Sequence, residues 1–303
     1  MRILVTGKKG QLGRSIKKIV HTYANKDGNQ NSNNFIFVGR EELDLSNESF
    51  IRQYFDNNKF DLIINCAAYT HVDTAEEEPE LANKINHLAV KYLASIANKQ
   101  QAMLMHISTD YVFDGETTKS YVETDDVNPI NVYGRTKLAG EQALQREMPM
   151  NALIIRTSWV YSEYSNNFVN TMLKLGKTKD EVNVVVDQMG SPTYATDLAH
   201  LILTIIKKKG FNQESHATQI YHYANDGNIS WYEFAKKIFK IAKIDCKVKM
   251  IKSEQFPTLA KRPKNTCLHN SKVARTFGVT GLHWKDSLGR CLANINDGLK
   301  NTN

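Results

Sequence analysis

Over the first half of the chain, short runs rich in β-branched residues alternate with longer stretches whose apolar residues recur every three or four positions. This is the rhythm of strands and helices laid alternately around a parallel sheet. The runs predict strands at Arg2–Val5, Phe35–Val38, Leu62–Cys66, Ala102–Ile107 and Ala152–Ile155, and the stretches between them predict helices at Leu12–Tyr23, Glu80–Lys99 and Val132–Glu147. Right-handed crossovers would set these strands side by side, with their carboxyl ends sharing one crevice in which a ligand can bind. Asn25–Asn34, rich in Asn, Gly, Gln and Ser, reads as a mobile surface insertion between the first helix and the second strand. Beyond residue 150 the alternation loosens, and Ser191-Pro192, Phe256-Pro257 and Arg262-Pro263 punctuate the chain.

Composition narrows the class without changing this picture. With 303 residues, 41% of them hydrophobic, the chain can bury a substantial core. The opening apolar run meets Gly7 almost at once, unlike a signal peptide, and no run approaches the roughly 20 apolar residues of a membrane span. Cys66, Cys246, Cys267 and Cys291 show no Cys-x-x-Cys spacing, which fits a reducing, cytoplasmic compartment. The formal charge of +7 is spread along the chain, with one run at Lys207–Lys209 that reads as a solvated helix end rather than a nucleic-acid patch. Such a charge also suits a protein that binds anionic small molecules.

Gly7, Gly10 and Gly13 stand between the first strand and the first helix. Glycine there permits a tight turn and lets backbone N–H groups reach a pyrophosphate at a helix N-terminus. The expected fold is therefore α/β, a Rossmann-type doubly wound parallel sheet with a smaller C-terminal substrate-binding lobe. Residues 1–150 would bind a dinucleotide, completed by segments from the second half, and residues 151–303 would mainly form the lobe. The second strand ends Val38-Gly39-Arg40, where NAD-specific enzymes usually carry an acidic residue. Arg40 suits the extra phosphate of NADPH, with NADH as a weaker substitute; equally, it could pair with Glu41 or Glu42 on the surface. Asp44 and Leu45 would border the adenine. Asn65, Cys66, Ala67, Ala68, Tyr69 and Thr70 close the third strand with small residues, fitting either a cofactor passing close to the backbone or tight helix packing.

Ser108-Thr109-Asp110-Tyr111 stands at the carboxyl end of the fourth strand, and Tyr133 and Lys137 share one face of the following helix. A phenol titrates near pH 10, and a neighbouring ammonium would bring it toward the working range of an acid-base catalyst. Thr109 could then hydrogen-bond a substrate carbonyl.

On these motifs the chain resembles the extended short-chain dehydrogenase/reductase family, nearly end to end. The likeness is to the branch that reduces the C4 ketone of a dTDP-linked 4-keto-6-deoxyhexose. It continues through Arg156–Tyr161, Asn167-Phe168, Asp187–Thr193 and Arg262–Asn265. The resemblance implies that Thr109, Tyr133 and Lys137 are catalytic. It makes Gly7, Gly10, Gln11, Leu12, Gly13, Gly39, Arg40, Asp44, Leu45 and Ala67 to Thr70 cofactor-facing, with Tyr133 and Lys137. Val72, Thr109, Asp110 and Trp159 would face the sugar nucleotide, although Trp159 also reads as an ordinary core indole. Some relatives form dimers around Mg²⁺ held by glutamates; Ser15 replaces one of these here, which speaks against a metal-bridged dimer and leaves a plain homodimer open.

Two rival readings use the same scaffold. A 4,6-dehydratase resembles Thr-Asp-Glu at the strand end, where Tyr111 follows Asp110 here, so its base is missing. A 4-epimerase or a non-catalytic partner, similar to the regulatory subunit of methionine adenosyltransferase, remains open on sequence.

Overall fold

The computed structural model describes residues 1–27, 33–208 and 217–300. Half of the expected insertion, residues 28–32, and Lys209 of the lysine run lie outside the described residues. Six strands form the main sheet: β1 (Arg2–Thr6), β2 (Asn34–Val38), β3 (Leu62–Asn65), β4 (Met103–Thr109), β5 (Ala152–Thr157) and β6 (Gln219–His222). Their order is β6-β5-β4-β3-β1-β2, and every neighbouring pair is parallel. The first five coincide with the sequence-predicted strands to within one or two residues at each end. The sixth comes from beyond residue 150 and carries no comparable apolar run.

Because side chains alternate across a strand, successive residues feed two cores. Ile3, Val5, Ile64, Met105 and Ile155 face α1 (Gln11–Asp27) and α6 (Ala195–Lys207), the second of which presents Leu198, Ile202 and Ile205. Leu4, Ile63, Leu104 and Ile154 face the other way. There they meet α2 (Glu48–Asp56), α3 (Pro79–Asn83, Lys84–Leu88 and Ala89–Gln100) and α4 (Val132–Glu147). Burial of each such side chain contributes roughly 1.5–3 kcal/mol, and burial on both faces explains why these strands read as continuous apolar runs.

The middle of α3, Lys84–Leu88, is a π-helical turn, a widening often found at functional sites. It presents Asn86, whose Oδ1 accepts from Tyr69 N (2.9 Å) and whose Nδ2 donates to Tyr69 O (3.1 Å) and Thr136 Oγ1 (3.2 Å). One side chain thus ties the loop after β3 to α4.

The remaining residues build a third core around α5 (Phe168–Gly176), α7 (Trp231–Ala242) and α8 (Trp284–Lys300), with Tyr161, Tyr194, Phe234, Ile238, Trp284 and Leu288 buried in it. Two-residue strands at Val160–Tyr161 and Thr193–Tyr194 pair in parallel beside the sheet. Among the described residues no helix is long and apolar enough to cross a membrane.

Candidate active site

A crevice of about 810 Å³ opens at the carboxyl ends of β1, β3 and β4 and is closed on its far side by residues 157–167 and Trp231. Its floor begins at the glycine turn. Gly7 has φ +73°, a conformation L side chains rarely adopt, and Gly10 N donates to Gly7 O (2.9 Å). A Cβ on Gly13 would stand 2.3 Å from Gly7 O, so the third glycine lets α1 begin directly against the turn. This leaves a side-chain-free cradle at a helix N-terminus, and it fits a dinucleotide pyrophosphate. Gly7, Gly10, Gln11 and Leu12 line the crevice, whereas Gly13 lies beneath it. The Gln11 side chain is committed elsewhere: it donates to Val160 O (3.1 Å) and accepts from Ser162 Oγ (2.8 Å) and Asn167 Nδ2 (3.1 Å).

Gly39, Arg40, Asp44 and Leu45 line the outer end. The surface pairing expected between Arg40 and the glutamates is not formed. Arg40 Nε meets Asp44 Oδ2 at 3.3 Å, while Glu42 takes Lys8 and Glu41 takes Lys9 (2.6 Å). The glycine turn supplies two cations that compete for those carboxylates. Ala67, Ala68, Thr70 and Val72 also line the crevice, but Tyr69 does not. Its ring packs with Ala75, Ala82 and Leu81, and its hydroxyl donates to Glu78 Oε2 (2.7 Å). The expectation that Tyr69 faces the cofactor is therefore corrected for its side chain: Asn86 holds its backbone and turns the ring away.

Thr109, Asp110, Tyr133, Lys137 and Trp159 all reach the crevice. Asn131 caps α4 by accepting from Gly134 N (2.8 Å), a contact worth about 1 kcal/mol, and so fixes the turn that carries Tyr133. A Cβ on Gly134 would lie 2.1 Å from Tyr111 O; its absence brings the rings of Tyr111 and Tyr133 edge to face at 5.7 Å. Burial pushes the Tyr133 phenol up to about 12, while the Thr109 hydroxyl beside it pulls the other way. Here the sequence expectation needs correcting. Lys137, 1% exposed, directs Nζ at Ile107 O (2.7 Å) and His106 Nε2 (3.3 Å), and burial brings its amine down to about 8. In the protein without ligand, desolvation of the phenol outweighs any stabilising ammonium.

His106 was not legible as a site residue, since it sits mid-strand among apolar neighbours. It is fully buried, lies 3.1 Å from Asn65 Nδ2, and burial and Lys137 hold it far below the usual imidazole range. It is a neutral prop for the lysine. Behind it, Glu141 accepts from Ser108 Oγ (2.5 Å) and pairs with Arg156 through Nε (3.0 Å) and Nη2 (2.7 Å), with both charges at 3% exposure or less.

Trp159 has φ +46°, rare for a bulky residue. Its indole stacks on that of Trp231, with ring centres 3.4 Å apart and planes nearly parallel at 7°. A Cβ on Gly190 would fall 2.3 Å from it. Trp159 packs against the third core and also walls the crevice. Trp231, its partner, escaped the sequence reading; the helix cap formed by Ser230 and Glu233 is the signal that places it at the start of a helix.

A parallel sheet with a glycine cradle after β1, and with a tyrosine and a lysine one helical turn apart beyond β4, defines a Rossmann-type oxidoreductase that uses a nicotinamide cofactor. The family model described as the RmlD substrate binding domain matches residues 1–296, and the chain belongs to that family. It is 40% identical to a dTDP-4-dehydrorhamnose reductase of Aggregatibacter actinomycetemcomitans over 95% of this chain and 97% of that protein. Among solved structures it is similar to a dTDP-4-dehydrorhamnose reductase of Clostridium acetobutylicum, with TM-score 0.89, 40% identity and coverage of 98% and 100% of the two chains. The enzyme of that name from Bacillus anthracis, solved with NADP, gives TM-score 0.87 and 36% identity over 97% and 99%.

Proposed function

We propose that this chain reduces the C4 ketone of dTDP-4-dehydro-L-rhamnose to give dTDP-β-L-rhamnose, with NADPH as preferred reductant. The observation that carries the reading is the meeting of Thr109, Tyr133 and Lys137 in the crevice that begins at the glycine cradle. Relatives named for this reaction support it across nearly the whole chain. When bound, the dihydronicotinamide supplies the reducing equivalent. Tyr133 holds the proton that the C4 oxygen acquires, and its high pKa keeps that proton in place at neutral pH. Lys137 and Thr109 orient the ribose and the ketone. Trp159 and Val72 wall the sugar side.

We assign residues 1–150 with α6 and β6 to cofactor binding and most of the remaining second half to the sugar nucleotide. The reading needs no metal: Ser15 is buried and donates to Gln11 O (3.0 Å) inside α1. The described cysteines are all unpaired, in keeping with a cytoplasmic setting.

The test is to offer dTDP-4-dehydro-L-rhamnose with NADPH and follow cofactor absorbance. One NADPH consumed per sugar is expected. Sugar interconversion without net consumption would point to an epimerase, and no turnover of the sugar would leave a non-catalytic role.

A further inference from the structure

Thr109 cannot, as it stands, do what a reductase crevice asks of it. A threonine hydroxyl has one proton and two lone pairs. Here the proton goes to Asp110 Oδ1 (3.0 Å), and Tyr111 N–H fills one lone pair (3.2 Å). A ketone oxygen offers only lone pairs and needs a donor, so with Asp110 ionised it finds none at Thr109.

Asp110 is an unusual place for an anion. It is 3% exposed, it lines the crevice, and its Oδ2 has no hydrogen-bond partner. The neighbours that face it are Tyr133 on α4, Tyr111 next in the chain, and Thr266 and Cys267 on the C-terminal segment. None is a cation. The Thr266 hydroxyl, held by Met189 O only at 3.5 Å, and the Thr109 hydroxyl favour the charged form, but burial outweighs them both. A buried carboxyl without a countercharge takes up a proton rather than remain charged.

We propose that Asp110 works as a neutral acid that sets the direction of the Thr109 proton. Protonated, Asp110 donates to the second lone pair of Thr109 Oγ1. The Thr109 hydroxyl then turns into the crevice, where it can donate to the C4 oxygen beside Tyr133. Ionised, Asp110 takes that proton back and the ketone loses a donor. No covalent bond changes at Asp110 in the cycle; it is a positioning residue acting through Thr109. Burial, which pushes its carboxyl up to about 7, puts this switch within the physiological range. The inference rests on the reductase reading above.

The test is the pH profile of kcat at saturating NADPH and dTDP-4-dehydro-L-rhamnose, for wild type, Asp110→Asn and Thr109→Val. With Asp110 near 7, wild-type kcat should fall about ten- to twentyfold from pH 6 to pH 8, the upper figure if Lys137 also contributes. The asparagine amide keeps a donor for Thr109 at every pH, so Asp110→Asn, whatever its absolute rate, should lose no more than about twofold over that interval, the part a Lys137 titrating near 8 would contribute. Thr109→Val, with the link cut, should be slow and equally flat. A fall of about tenfold or more in either variant overturns the proposal while the reductase reading stands. Failure of wild type to oxidise NADPH with this sugar overturns both. If Asp110→Asn does not fold, wild type carrying ¹³C-labelled aspartate carboxyls and bound NADP⁺ decides: one carboxyl must titrate near neutrality, and all of them titrating near the ordinary value of about 4 would sink the idea.

Discussion

The two ends of the crevice use the same kinds of side chain in opposite surroundings. At the outer end, Lys8, Lys9 and Arg40 each meet a carboxylate on the surface, and Lys9 and Glu41 are 70% exposed. At the inner end Lys137 and Asp110 are almost wholly buried and neither has an oppositely charged partner. Water screens the outer charges, so each pair is worth little and any of them can be exchanged for a ligand phosphate. The inner groups have no such buffer. Burial moves Tyr133 up, Lys137 down and Asp110 up, until amine and carboxyl both titrate near neutrality. Chemistry belongs at the dry end and recognition at the wet one.

This contrast breaks most visibly at Tyr133. Tyr133→Phe keeps the ring against Tyr111 and removes one proton, so turnover should fall about 10²–10⁴-fold while the NADPH dissociation constant and the unfolding midpoint stay near wild type. Retention of more than about a tenth of the turnover would move the proton donor elsewhere. Lys137→Met removes a cofactor contact as well as the buried amine, so turnover and NADPH affinity should fall together, measured by steady-state kinetics and fluorescence titration.

Stability should show the same asymmetry. Arg156→Met leaves Glu141 buried without its guanidinium, a change expected to cost about 3–5 kcal/mol in denaturant unfolding. Glu41→Gln, at the exposed Lys9, should leave the midpoint unmoved. Equal effects would mean that the two environments differ less than the burial of their charges indicates.

What could be read from the sequence follows the same division. Four of the five N-terminal strands were legible as apolar runs buried on both faces, and Asn34–Val38, half-buried at the sheet edge, through its run Phe35-Ile36-Phe37-Val38. Gln219–His222 was not, as its identity depends on pairing with β5 at the sheet edge. Tyr133 and Lys137 were visible through their spacing, Thr109 through its place at the end of the fourth strand, and the catalytic role of all three through the family resemblance. The direction in which Lys137 points was not, since it is set by His106 and the Ile107 carbonyl on another element. Tyr69 was misplaced for a related reason: the widened turn that presents Asn86 leaves no trace in hydrophobic periodicity. Periodicity reports which face a residue occupies, whereas tilt and rotation arise from contacts between elements.

At the wet end the effects shrink. Arg40 is 77% exposed along its side chain and already meets Asp44, so a phosphate must win it from that carboxylate. Arg40→Ala should therefore weaken NADPH by about tenfold, near the lower limit for a charge-assisted hydrogen bond, and leave NADH nearly unchanged. Equal losses for both cofactors would show that Arg40 serves the loop instead.

The smallest expected effect is the most diagnostic of exchange. Glu42 accepts from Gly39 N (2.9 Å) and pairs with Lys8, whose stem lies across Gly39 at the end of β2. The Lys8 hydrogen bond holds the Glu42 carboxyl down to about 2, so it is ionised at every working pH and competes with a ligand phosphate for that lysine. Glu42→Gln removes the competitor while keeping an oxygen for Gly39. NADPH should then bind about two- to fivefold more tightly, the range of an exposed ion pair, with NADH unaffected and the gain fading as salt is raised. A gain shared by both cofactors would mean that the variant reshaped the Gly39 turn, and a gain indifferent to salt would mean that Lys8 never reaches the phosphate.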